Sequence, residues 1–117
     1  METPTYTELI YRAYDAFNQR DINTVLNLMA PDVQWPNGWE GGYVNGHDEV
    51  KEYWTRQWKE IDPTVTPVFI SELTDNRFDV EVRQTIKSKS GEILSDDMVH
   101  HVYTFENEKI KKMEIVK

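Results

Sequence analysis

The sequence predicts an α+β domain in which helices come first and strands follow. Apolar residues recur at helical spacing as far as Ile61 and at a period of two after Pro63, and the later segments are separated by short polar turns. The length of 117 residues fits a single domain, spanning residues 1–117, built on one core. Short turns imply antiparallel neighbours, and helices gathered at the start imply a sheet with one face covered by them.

Each element has a local cause. From Thr5 to Arg20, Leu9, Ala13, Ala16 and Phe17 share a helical face, and Thr5 with Glu8 forms a capping box for the first N–H groups. A second, short helix follows Asp21 as N-cap, with Ile22, Val25, Leu26 and Met29 on one side. Pro31 closes it, because the residue before a proline is pushed out of helical φ/ψ. Val33 to Trp35 reads as a short strand. Pro36-Asn37-Gly38 and Gly41-Gly42 then punctuate a loop that presents Trp39 and Tyr43. From His47 to Ile61, Val50, Tyr53, Trp54, Gln57, Trp58 and Ile61 form a wide stripe, the third helix, which Asp62-Pro63 ends.

Four strands follow, near Val65–Leu73, Phe78–Lys87, Ile93–Phe105 and Lys109–Val116. Alternation assigns their faces. Phe78, Val80 and Val82 oppose Asp79, Glu81 and Arg83, while Val99, His101, Tyr103 and Phe105 oppose His100, Val102 and Thr104. Met113 and Ile115 extend the apolar side. A register slip of one residue would invert every assignment and put His100 where His101 belongs.

Composition removes several classes of function. The balance of 13 Lys+Arg against 21 Asp+Glu, net −8, leaves no basic stripe for a phosphate backbone or an anionic membrane. Absence of cysteine removes disulfides, thiolate catalysis and thiolate metal sites. The histidines and carboxylates show no metal-ligand spacing, and the glycines fit turns rather than a phosphate cradle. No apolar N-terminal segment suggests secretion, so a cytoplasmic location is expected. What is concentrated is aromatic: all four tryptophans, Trp35, Trp39, Trp54 and Trp58, fall between the second helix and the first long strand.

Several segments together resemble a known family. They are Gln19-Arg20-Asp21-Ile22 at the helix junction, Ala30-Pro31-Asp32-Val33-Gln34-Trp35, Gly42-Tyr43-Val44-Asn45-Gly46-His47-Asp48-Glu49-Val50 leading into an aromatic helix, and the terminal hairpin. With the element order, they resemble the nuclear transport factor 2-like superfamily, and within it the SnoaL-like branch of polyketide cyclases and ketosteroid isomerase-like proteins. The resemblance implies a cystatin-like cone, a curved antiparallel sheet wrapped around three N-terminal helices, whose concave face encloses a pocket. It implies inward positions for Phe17, Met29, Asn37, Tyr53, Trp54, Phe78, Val80, Val82, Asp97, Val99, His101, Tyr103, Met113 and Ile115. On the outer face, carrying Glu81, Arg83, Thr85, His100 and Val102, it implies a homodimer. The scaffold hosts catalysis, ligand binding and association alike, so function has to be argued from the site.

The ketosteroid isomerase constellation is a carboxylate base, a tyrosine and a protonated aspartic acid. Here the matching positions carry Asn37, Ala13 and His101, with Tyr14 about 100° further around the helix from Ala13. The implied function is therefore a cofactor-free pocket for a small, largely apolar organic molecule, with acid–base chemistry such as isomerisation, cyclisation or dehydration open, and a non-catalytic binding or dimerisation module as the alternative. His101 is the candidate acid–base group on an apolar face, or else a core histidine bonded to Tyr14 or to a backbone carbonyl. Tyr14 and Tyr103 are candidate hydrogen-bond donors. Asp97 is a candidate second acid–base or anchoring group, about 13 Å along the strand from His101, or else a solvated strand start. Trp35, Trp39, Tyr53 and Trp54 are candidates for an aromatic wall, with Trp39 as a lid, whereas Trp58 reads as core packing.

Overall fold

The concave face of a bent six-stranded sheet is covered by helices in a computed structural model that describes residues 5–37 and 41–116. The described residues form three helices, α1 (Tyr6–Asn18), α2 (Ile22–Asn27) and α3 (Gly46–Glu60), and six strands. The strands are β1 (Met29–Pro36), β2 (Tyr43–Asn45), β3 (Ile61–Thr74), β4 (Arg77–Ser88), β5 (Ile93–Glu106) and β6 (Lys109–Val116), in the sheet order β2-β1-β6-β5-β4-β3.

The helix starts follow the capping chemistry. Thr5 Oγ1 accepts from the Glu8 N–H at 3.1 Å, and Asp21 accepts from the Thr24 N–H at 3.3 Å. The second helix stops earlier than Pro31 alone implies. It ends at Asn27 with Leu28 as C-cap, and Met29 begins β1, so Pro31 lies within a strand rather than just beyond a helix. The extended conformation that Pro31 imposes on Ala30 extends back to Met29, whose side chain is buried from the strand. Pro63 likewise sits inside β3, two residues after the strand begins.

Consecutive strands from β3 to β6 pair antiparallel, with Val80 opposite His101 and His101 opposite Ile115. This is the register the alternation predicts, and Phe78, Val80, Val82, Val99, His101, Tyr103, Phe105 and Met113 are all buried. The sheet is not wholly antiparallel, however: β1 lies beside β6 in parallel, with Met29 opposite Ile110 and Gln34 opposite Lys112. Turn lengths say nothing about this pair, because its strands are joined through most of the chain. Register shifts between Pro67 and Phe69, and between Thr104 and Phe105, bend the strands.

Helix α1 lies along the hollow. At one end Tyr6 stacks on Phe105 with ring centroids 4.2 Å apart and meets Phe78 edge-on at 5.7 Å. Ile10 is fully enclosed in the middle. At the other end Asn18 clamps the edge strand: its Nδ2 donates to the Val65 carbonyl at 2.7 Å, and its Oδ1 accepts from the Val65 N–H at 3.0 Å. Helix α3 closes the remaining side through Val50, Tyr53 and Trp54. Its entry needs Gly46, whose φ is +81° and where a Cβ would stand 3.3 Å from the Pro31 carbonyl oxygen.

Removing the clamp leaves two backbone groups of Val65 without their partner. Asn18→Ala should lower stability by about 1–3 kcal/mol in urea denaturation, and amide exchange at Val65 should accelerate more than at Val82 in the sheet interior.

Candidate active site and the family of the chain

Between α1, α3 and the concave face lies a cavity of about 100 Å³. Its walls are mostly aromatic and aliphatic, with Phe17 from α1, Trp35 from β1, Tyr53 and Trp54 from α3, Val65 from β3 and Met113 from β6. Three polar side chains interrupt them: His101, Gln57 and Gln84. A second void of about 20 Å³ lies behind, lined by Tyr14, Tyr103 and Met29 among others, and it shares Phe17, Trp35 and Trp54 with the first. Those three rings form a partition. Trp54 meets Trp35 edge-to-face at 5.2 Å and Phe17 at 5.1 Å, geometry that favours aromatic pairs.

His101 combines burial, one engaged nitrogen and one free one. Its Nδ1 stands 2.7 Å from the Tyr14 hydroxyl, while Nε2 is buried and has no hydrogen-bond partner. Burial, and secondarily the neighbouring His100, lowers the imidazole pKa to about 4. The ring is therefore neutral at physiological pH. Burial, and secondarily the nearby Tyr103, raises the Tyr14 hydroxyl well above its usual range, and burial raises Tyr103 as well. Three buried, uncharged polar groups thus line the inner side of the site.

The other sequence candidates divide. Phe17, Trp35, Tyr53, Trp54, Met113 and Ile115 line the larger cavity, and Ile115 stays 40% exposed. Tyr14 and Tyr103 line the smaller void. Phe78, Val80, Val82 and Val99 face inward but are packed into the core and line neither space. Asp97 is exposed on β5 opposite Gln84 and contributes to neither lining. Asn37 also lines neither; its backbone N–H donates to the Gly42 carbonyl at 3.0 Å. Trp39, the expected lid, lies outside the described residues. Trp58 packs against Phe17 and Trp54, and the Arg20 guanidinium sits 5.1 Å over its ring.

Gln57 and Gln84 were missed as lining residues, although each carried a signal. Gln57 interrupts the apolar stripe of α3, and Gln84 continues the inward series Phe78, Val80, Val82 with an amide. A polar residue at a position whose period demands an apolar one marks a surface that is not fully packed.

The geometry defines a class, an α+β protein of the cystatin-like, nuclear transport factor 2-like fold. The SnoaL-like domain family matches residues 10–113, and the chain belongs to that family. No curated protein matches it. Among solved structures it is similar to a nuclear transport factor 2-like protein of unknown function from Burkholderia pseudomallei, at 27% identity and a TM-score of 0.82, covering 93% of this chain and 87% of that one. It is equally similar to TerC co-crystallised with polyporic acid, at 27% identity and a TM-score of 0.82, covering 94% and 88%. The fold also matches Rv0760c from Mycobacterium tuberculosis in complex with estradiol-17β-hemisuccinate, at 17% identity and a TM-score of 0.79, covering 92% and 88%. No helix among the described residues is long and apolar enough to cross a membrane.

The depressed imidazole couples the site to folding. An unfolded chain binds a proton at His101 near pH 6.5, the folded one only near pH 4, so the unfolded state takes up the extra proton in between. This contribution to stability is complete above about pH 6.5 and disappears as pH falls to about 4, amounting to about 3 kcal/mol. His101→Asn should flatten that part of a pH series of urea unfolding curves, and proton NMR should show the wild-type ring titrating near pH 4 rather than 6.5.

Proposed function

We propose that this protein encloses a small, largely apolar organic molecule in the aromatic cavity and carries out cofactor-independent acid–base chemistry on it through His101, of the isomerisation, cyclisation or dehydration type. The observation that carries this reading is the unpartnered Nε2 of a buried, neutral imidazole on the lining of an otherwise mainly apolar cavity. An unpaired buried polar atom costs about 1–3 kcal/mol, which supports reading Nε2 as more than packing, although Trp58 Nε1 is buried and unpaired in the same way. Nδ1 is engaged by Tyr14, which orients the ring, and Nε2 is the nitrogen without a protein partner. The bound polyporic acid of TerC, a relative at 27% identity, supports an organic ligand of this kind. A non-catalytic binding module is the alternative, favoured by the small size of the cavity as it stands.

The rim offers the cleanest test. Ile115 lines the cavity while remaining partly exposed, so Ile115→Trp should block it and abolish ligand binding in calorimetry, with stability within about 0.5 kcal/mol of wild type. Unchanged binding would move the ligand elsewhere. With a substrate in hand, His101→Ala should abolish turnover without unfolding the protein; retained turnover would take the chemistry away from His101, and ligand binding without turnover in the wild type would leave the binding module.

We also propose a homodimer through the outer sheet face. Phe69, Glu81, His100 and Val116 form one cross-strand row there, Phe69 is 61% exposed, and Met98 is exposed in the adjacent row. Such a patch favours a protein partner. Sedimentation should show a dimer that Phe69→Glu converts to monomer; a wild-type monomer would remove this proposal.

A further inference from the structure

Two side-chain amides face the larger cavity, one from the helices and one from the sheet. Gln57 lies three residues beyond Trp54 and four beyond Tyr53 on α3, so all three share one helix face, and all three line the space. Gln84 comes two residues after the inward Val82 on β4, so its side chain takes the same concave side of the strand. It pairs across the sheet with Val65, another lining residue, whose backbone Asn18 fixes on the far side. Both glutamines are half-buried, and neither side chain hydrogen-bonds to another described residue. Their donors and acceptors are open to whatever fills the cavity.

The rest of the lining limits what that can be. Among the described residues, none that lines the cavity carries a charge, since His101 is neutral, so an ionised group inside would lose its hydration without gaining a counter-charge. Asp97, opposite Gln84 on β5, is exposed and lies outside the lining, where solvent screens it. A primary amide carries a donor and an acceptor side by side and no charge. Its complement is a group built the same way, which meets it in two hydrogen bonds at once, whereas a ketone meets it in one. We propose that Gln57 and Gln84 are specificity-determining residues: they hold an uncharged polar end of the ligand that carries donor and acceptor side by side, a lactam, imide or primary amide, while the rings enclose its apolar body. This rests on the ligand-binding reading above but on no chemistry at His101. Amides in an open cavity are hydrated, and a lactam edge replaces those hydrogen bonds where a hydrocarbon edge does not.

Four bicyclic probes of similar size, titrated by calorimetry at pH 7, test this: oxindole, an uncharged lactam; indane, with no polar group; 2-aminoindane, a cation; and indane-2-carboxylate, an anion. Oxindole should bind about 3- to 10-fold tighter than either charged probe. Gln57→Leu and Gln84→Leu should each weaken oxindole by about 3- to 10-fold and leave indane bound at least as tightly. Neither substitution removes a hydrogen bond between described residues, so the urea midpoint should not fall. An oxindole affinity that either substitution leaves unchanged, or an equal loss for indane, overturns the proposal while leaving an apolar pocket. Tighter binding of a charged probe than of oxindole also overturns it, 2-aminoindane in favour of Asp97 as an anchor. Failure of all four to bind overturns the pocket reading and the selectivity with it. In the wild type, the side-chain N–H resonances of Gln57 and Gln84 should shift downfield with oxindole but not with indane; unmoved resonances overturn the proposal even where a variant does not fold.

Discussion

A sheet bent by bulges has a hollow side, and one helix of 13 residues must fill it. That mismatch between a wide concave face and a narrow cylinder governs the rest of the molecule. At the Tyr6 end, large rings from the helix and the sheet close the gap completely. Towards Phe17 the helix no longer suffices, and α3 and β1 contribute Trp54 and Trp35 to complete the wall. The space these rings leave is the candidate site. Its position follows from where packing runs out, which is also where polar side chains enter the lining.

A polar group in such a place must be uncharged or paired, since burying an isolated charge is prohibitive. His101 meets the condition by staying neutral, and Tyr14 meets it by sharing a hydrogen bond with the ring. The outer face of the same strand solves the problem differently. His100, one residue away, is half-exposed and stands 3.0 Å from the Asp79 carboxylate. Two adjacent histidines thus have opposite environments, separated only by the alternation of a strand.

Much of this was legible in the sequence, because it depends on local periodicity. The helix stripe, the caps at Thr5 and Asp21 and the face assignments on β4, β5 and β6 are short-range statements, and the pairing of Tyr14 with His101 was one of two open readings. The parallel seam between β1 and β6 was not legible, since the residues that meet there are far apart in sequence. Depth was not legible either: alternation tells that Phe78, Val80, Val82 and Val99 point inward, but whether an inward residue meets a helix or an opening depends on α1. For Asp97 the same alternation continues past the region the helices cover, so its side of the strand faces water.

The Asn18 clamp on Val65 also bears on how copies of this chain avoid one another. The N–H and C=O of Val65 point away from β4, as do the backbone positions of Pro63 and Pro67 two residues to either side. Prolines have no N–H to offer, and Asn18 occupies the donor and acceptor between them. The first half of this edge strand is therefore closed to a further strand, a protection against fibril-like stacking. The register shift beyond Pro67 then interrupts the ladder that a neighbouring chain would need to follow.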